Sequence, residues 1–120
     1  MNEKIGVEIS QEGNAAIVAF KATTISSPEM ITIAAKQIQE FINESHPSLI
    51  VFNFEQVKFF SSQVLGLLLD IRSKMKAYGG EVVISAINPQ LYRVFKITNL
   101  DKLYRFFPDK ESAVGAANKA

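Results

Sequence analysis

The chain contains no cysteine. That absence removes any disulfide framework, any thiolate nucleophile and any sulfur ligand for a metal, and it suits a reducing compartment. Histidine is nearly as scarce, since His46 is the only one and stands beside Pro47 with no cluster of carboxylates around it in sequence. An isolated imidazole in such a place reads as a loop or surface residue rather than as a metal ligand or general base. Charge of one sign is lacking as well. Lys and Arg total 13 against 12 Asp and Glu, a formal net charge of +1, so there is no field to draw in nucleic acid. No uncharged stretch runs longer than that from Phe59 to Leu69, well short of the roughly 20 residues a membrane span needs. The opening MNEKIGVEIS holds no apolar segment of signal-peptide length. Neither G-x-G-x-x-G nor G-x-x-x-x-G-K-[ST] occurs, and there is no G-x-S-x-G elbow, so no phosphate-cradling loop or nucleophile turn is visible. The expectation is a cytoplasmic, non-enzymatic protein that needs no cofactor and no metal, does not insert into membranes and does not bind nucleic acid.

What the chain does have is apolar material. With 120 residues, 48% of them hydrophobic and 9 of them Phe, it can bury one sizeable core but not two comfortable ones. Residues 1–120 are therefore expected to form a single domain. Ile5, Val7 and Ile9 alternate with polar neighbours, and Glu12-Gly13-Asn14 turns the chain into Ala16–Phe20, the pattern of an antiparallel hairpin. At Ser26-Ser27-Pro28-Glu29, Ser27 is placed to cap a helix, Pro28 to occupy its first position and Glu29 to complement its dipole. The apolar stripe that follows, Ile31, Ala34, Ala35, Ile38, Phe41 and Ile42, has helical spacing. Leu49–Phe52 is apolar without alternation, as a central strand covered on both faces would be.

A second helix is expected from about Ser62 to Tyr78, with Val64, Leu65, Leu68, Ile71 and Met75 inward, and with Gly79-Gly80 to supply a left-handed end. Arg72, Lys74 and Lys76 near its end read as cations that complement the dipole, with Asp70 to Lys74 as an i,i+4 pair. Val82–Ile84 predicts another strand, and Asn88-Pro89 a short helix carrying Leu91, Val94, Phe95 and Ile97. Leu103–Phe106 predicts an edge strand, and Asp109 caps a last helix carrying Ala113, Val114, Ala116 and Ala117. Phe52, Phe54, Phe59 and Phe60 are expected in the core rather than on a base-stacking platform. The order β-β-α-β-α-β-α-β-α implies an α/β fold: a mixed sheet with an N-terminal antiparallel hairpin, parallel inner strands joined by right-handed crossovers, and about four helices.

The most informative stretch is Leu49-Ile-Val-Phe-Asn-Phe-Glu-Gln-Val-Lys-Phe-Phe-Ser-Ser-Gln-Val-Leu-Gly-Leu-Leu-Leu69. A buried strand ends near Asn53, a loop with Val57 and Phe59 follows, and Ser61 and Ser62 stand where a helix must begin. This resembles the signature of the STAS family, the anti-sigma factor antagonists and their relatives. The resemblance puts Ser62 on the family's phosphorylatable serine, with Ser61 before it as cap or as the alternative acceptor, and Leu65 on the leucine that anchors the helix. It also implies a partner-binding surface of Ser61, Ser62, Gln63, Val64 and Gly66. Three positions depart from the family pattern: Ser61 for an acidic residue, Val64 for glycine and Asn53 for aspartate. A β-branched Val64 on an exposed first turn would hold a partner's backbone further off than glycine does.

The function this resemblance implies is a partner switch. Unphosphorylated, the domain binds an anti-sigma factor with serine-kinase activity, and phosphorylation of the serine ends the association. Two other readings stand beside it. One is a STAS scaffold in a regulatory assembly whose serine is never modified, and the other is a small-molecule-binding α/β domain with a pocket at the strand ends.

Overall fold

The computed structural model describes residues 7–119, with side chains described as far as residue 116. Ile5 of the expected hairpin lies outside the described residues. The elements in chain order are β1 (Val7–Glu12), β2 (Ala15–Phe20), β3 (Thr24–Ile25), α1 (Pro28–Ser45), β4 (Leu49–Asn53), β5 (Phe59–Phe60) and α2 (Gln63–Lys76). They continue with β6 (Glu81–Ser85), α3 (Pro89–Ile97), a short 3-10 turn (Leu100–Lys102), β7 (Arg105–Phe107) and α4 (Lys110–Lys119).

The main sheet has the order β1-β2-β4-β6-β7. β1 and β2 are antiparallel, while β2-β4, β4-β6 and β6-β7 are parallel. β4 is thus the middle strand, and each of its five residues is buried, which is why its sequence shows no alternation.

Side-chain alternation splits the sheet into two unequal faces. Ala16, Val18, Phe20, Ile50, Phe52, Val82 and Ile84 face the major core with Ile31, Ala34, Ile38 and Ile42 of α1, Leu65, Leu68, Ile71 and Met75 of α2, and Leu91 and Phe95 of α3. Ala15, Ile17, Leu49, Val51 and Val83 face the other way and meet Ala113 and Val114 of α4. The small side chains of α4 suffice because they cover a narrower apolar strip.

The helix ends follow the sequence signals. Ser27 Oγ accepts from the Met30 N–H at 3.2 Å, Asn88 Oδ1 from Leu91 at 2.8 Å and Asp109 Oδ1 from Ser112 at 2.8 Å, so three helix starts are capped by the residues expected. After α2, Gly80 donates to the Met75 carbonyl at 2.8 Å and Gly79 to that of Lys76 at 3.1 Å. Gly79 has φ +90°, the left-handed residue that closes such an end.

Several expectations need correction. Ile97 is 72% exposed; it ends α3 two residues past Phe95, off the stripe that Leu91 and Phe95 define by their i,i+4 spacing. The edge strand begins at Arg105 rather than Leu103, because the 3-10 turn places Leu103 at its end and the register with β6 starts at Val83 opposite Arg105. Asp70 and Lys74 do not pair among the described residues, whose ion pairs are Lys21–Glu8, Arg105–Glu81 and Lys110–Glu12. Ordering the long Lys74 side chain against the exposed Asp70 carboxylate costs as much as so solvated a pair returns. Phe59 is 54% exposed, since successive residues of a strand point to opposite sides and Phe60 takes the core side.

Candidate functional site

The site grows from the end of β4. Asn53 Oδ1 accepts the Glu55 N–H at 3.2 Å and lies 3.4 Å from Ser85 Oγ. Phe54 N–H donates to the Ser85 carbonyl and Val57 N–H turns back to that of Phe54, both at 3.0 Å. The Val57 carbonyl then accepts from Asn88 Nδ2 at 3.3 Å, so one side chain both caps α3 and holds this loop. The next residues pair with the chain leaving β2. Lys58 and Phe59 donate to the Thr23 carbonyl at 2.8 and 3.2 Å, and Ser61 to that of Ile25 at 2.9 Å. These bonds accompany a second, two-stranded parallel sheet of β3 and β5. The loop is therefore fastened along its length before it reaches the two serines, and Phe54, Val57 and Phe60 beneath it are buried.

Ser62 is the N-cap of α2, with φ −61° and ψ −19°, and it is exposed. Its side chain makes no capping bond. Because Ser62 already has helical dihedrals, the first turn closes tightly through Val64 N–H to the Ser61 carbonyl and Leu65 N–H to the Ser62 carbonyl, each 3.0 Å. No acidic side chain occupies this turn, so nothing on the helix itself compensates the partial positive charge of its start. Gln63 and Gly66 are exposed beside Ser62, and a Cβ added to Gly66 would meet nothing within 4 Å.

Two of the expected surface residues behave differently. Val64 is 0% exposed: it shares a face with Leu68, one helical turn on, and both enter the major core. It supports the turn from below and does not set how closely a partner's backbone can approach. Ser61 does not cap α2. Its Oγ is closed off from solvent and has no hydrogen-bond partner among the described residues, because the bond from its N–H to Ile25 aims the side chain inward. The exposed positions are therefore Ser62, Gln63 and Gly66, flanked by Lys58 and Phe59. The β3-β5 pairing and the Asn88 tether escaped sequence reasoning; the second had a legible trace in Asn88-Pro89, but only as a helix start.

His46 is exposed in the left-handed region that ends α1, with φ 46°, and its ring stands edge-on to Tyr78 at 5.2 Å. No group of three or more His, Asp or Glu side chains converges among the described residues. No helix among them is long and apolar enough to cross a membrane.

The site is thus an exposed serine at the start of a helix, carried by a tethered loop at the end of a central strand in a mixed α/β sheet. The profile of the STAS domain matches residues 14–113, and the chain belongs to that family. Among solved structures, an anti-sigma-factor antagonist domain protein from Planctomyces limnophilus superposes with a TM-score of 0.82 at 18% identity, covering 92% of this chain and 96% of that one. The anti-sigma factor antagonist SpoIIAA in its unphosphorylated form gives 0.82 at 16% identity, with 95% and 97% covered. The Bacillus cell fate determinant SpoIIAA in its phosphorylated form gives 0.73 at 18% identity, with 92% and 98% covered. At these identities the likeness is one of fold.

Proposed function

We propose that this chain is an anti-sigma factor antagonist-like regulator that docks a protein partner on the exposed start of α2 and is released when Ser62 is phosphorylated. The observation that carries this reading is the Ser62 hydroxyl: exposed, uncommitted to any cap, and held at a helix start by a hydrogen-bonded loop. The partner is an anti-sigma factor with serine-kinase activity in the cytoplasm. It brings its own ATP, so this chain needs neither cofactor nor metal. Ser62, Gln63 and Gly66 form the contact surface, while Ser61 and Val64 hold it from within. Transfer of the terminal phosphoryl group to Ser62 Oγ displaces the hydroxyl proton and leaves about 1.5 to 2 negative charges at the centre of that surface. The folded domain tolerates the charge because free N–H groups and the helix dipole favour an anion there. The partner, which must exclude water from the same spot, does not.

Capture of the partner with unphosphorylated protein, followed by titration of the pair, tests this. Ser62→Asp is expected to weaken the complex by an unpaired desolvation cost of about 1 to 3 kcal/mol, about 5- to 150-fold in Kd. Folding stability should change by no more than about 1 kcal/mol, and Ser62→Ala should keep binding while accepting no phosphate. Wild-type affinity in both Ser62→Asp and phosphorylated protein refutes the switch. The departures at Ser61, Val64 and Asn53 favour a scaffold that is never modified; that reading predicts no phosphate transfer to Ser62 by the bound kinase.

A further inference from the structure

At the opposite end of the parallel strands, where Ser48 and Glu81 lead into β4 and β6, a cavity of about 200 Å³ opens between the end of α2 and the start of β6. Arg72 and Lys76 both line it, as residues four apart on a helix must share a face. Glu81 also lines it, but both of its carboxylate oxygens are taken by Arg105, at 2.9 Å each. Among the described residues neither Arg72 nor Lys76 is paired with a carboxylate. Nor are the two cations needed at the helix end, where the amides of Ala77, Gly79 and Gly80 already satisfy the carbonyls of Ser73, Lys76 and Met75.

Next to Leu103 of the cavity wall stands Tyr104, 6% exposed, whose hydroxyl is shut off from solvent without a hydrogen-bond partner. Most buried hydroxyls in folded proteins are satisfied. Burial pushes its pKa up to about 12, opposed by the charge of nearby Arg72, so it stays a neutral donor.

We infer that the cavity framed by Arg72, Lys76, Gly80, Glu81, Val82 and Leu103 binds a small oxyanion of the phosphate class. Two unpaired cations on one wall of a cavity match the needs of a tetrahedral anion. The volume lies below the roughly 300–1,000 Å³ of sites for drug-sized ligands, so it takes a phosphate group and little more. Being remote from Ser62, the site is independent of the partner switch.

The test is titration of the full chain with inorganic phosphate, and separately with glycerol phosphate, followed by amide NMR shifts. Saturable shifts are expected at Arg72, Lys76, Gly80 and Leu103 with Ser62 to Leu65 unmoved. Arg72→Gln and Lys76→Gln are each expected to raise the phosphate Kd about tenfold or more, the scale of one lost charge-assisted hydrogen bond. Raising the salt concentration should weaken binding. A tenfold tighter Kd for glycerol phosphate assigns the site to a phosphorylated small molecule, and equal or weaker binding assigns it to the free ion. The inference is overturned by non-saturable shifts, by shifts centred on Ser62, or by an unchanged phosphate Kd in the Arg72→Gln, Lys76→Gln double variant.

Discussion

Replacing Val64 by the glycine that the family often carries there separates a surface role from a core role. On a surface, the change would cost only backbone freedom. The structure instead buries Val64 completely, among the side chains that join α2 to the sheet. Val64→Ala deletes two methyl groups, each worth about 0.8 kcal/mol when buried, for about 1.6 kcal/mol. A cavity that the tethered loop above cannot collapse raises this to roughly 2 to 3 kcal/mol. Val64→Gly adds about 0.5 to 1 kcal/mol of backbone entropy, giving roughly 2.5 to 4 kcal/mol in total. Urea unfolding of the three proteins, followed by far-UV circular dichroism, measures each step, with the slope expected to stay constant so that the midpoint alone moves. Partner affinity, measured well below the unfolding transition, should fall much less for Val64→Ala than for Ser62→Asp. A loss of stability under about 1 kcal/mol for Val64→Ala, or a gain of affinity for Val64→Gly at unchanged stability, would show that residue 64 is part of the contact surface and that the inward placement is wrong.

Asn88→Ala removes a helix cap and the tether to the Val57 carbonyl together, so it should cost about 1 to 2 kcal/mol, and faster hydrogen exchange at Val57 to Ser61 than at β4 would distinguish loosening of the loop that leads to Ser62 from general destabilisation. Tyr104 binds its proton more tightly folded than unfolded, since burial pushes its pKa from 10.0 to about 12; its contribution is complete below pH 10 and is lost as pH rises from about 10 to 12. Wild type should therefore lose stability over that window relative to Tyr104→Phe in paired denaturation curves, and parallel curves would refute the assignment.

Much of the fold was legible because local chemistry and tertiary demand agree. Ser27-Pro28, Asn88-Pro89 and Asp109 start helices in the structure as they do on paper, since a cap bond spans three residues and depends on little else. The unbroken apolar run of β4 announces a middle strand for a similar reason: only a strand covered on both faces can afford it. The position of Ser62 at a helix start was equally readable from the end of one periodicity and the onset of another.

The inside and outside of the site were not readable. Side-chain direction at Ser61, Val64 and Phe59 depends on how the loop is pinned to Thr23 and Ile25, residues more than thirty positions earlier in the chain. Neither β3 nor β5, two residues each, is long enough to show a period, and each exists only because the other lies beside it. The same holds for the cavity at the far end. Arg72 and Lys76 read as ordinary helix-end cations until the Gly79-Gly80 corner takes up the carbonyls and Arg105, from another strand, takes up Glu81. Periodicity and capping are short-range and written in the sequence; which polar atoms remain unpaired is decided only when distant segments meet.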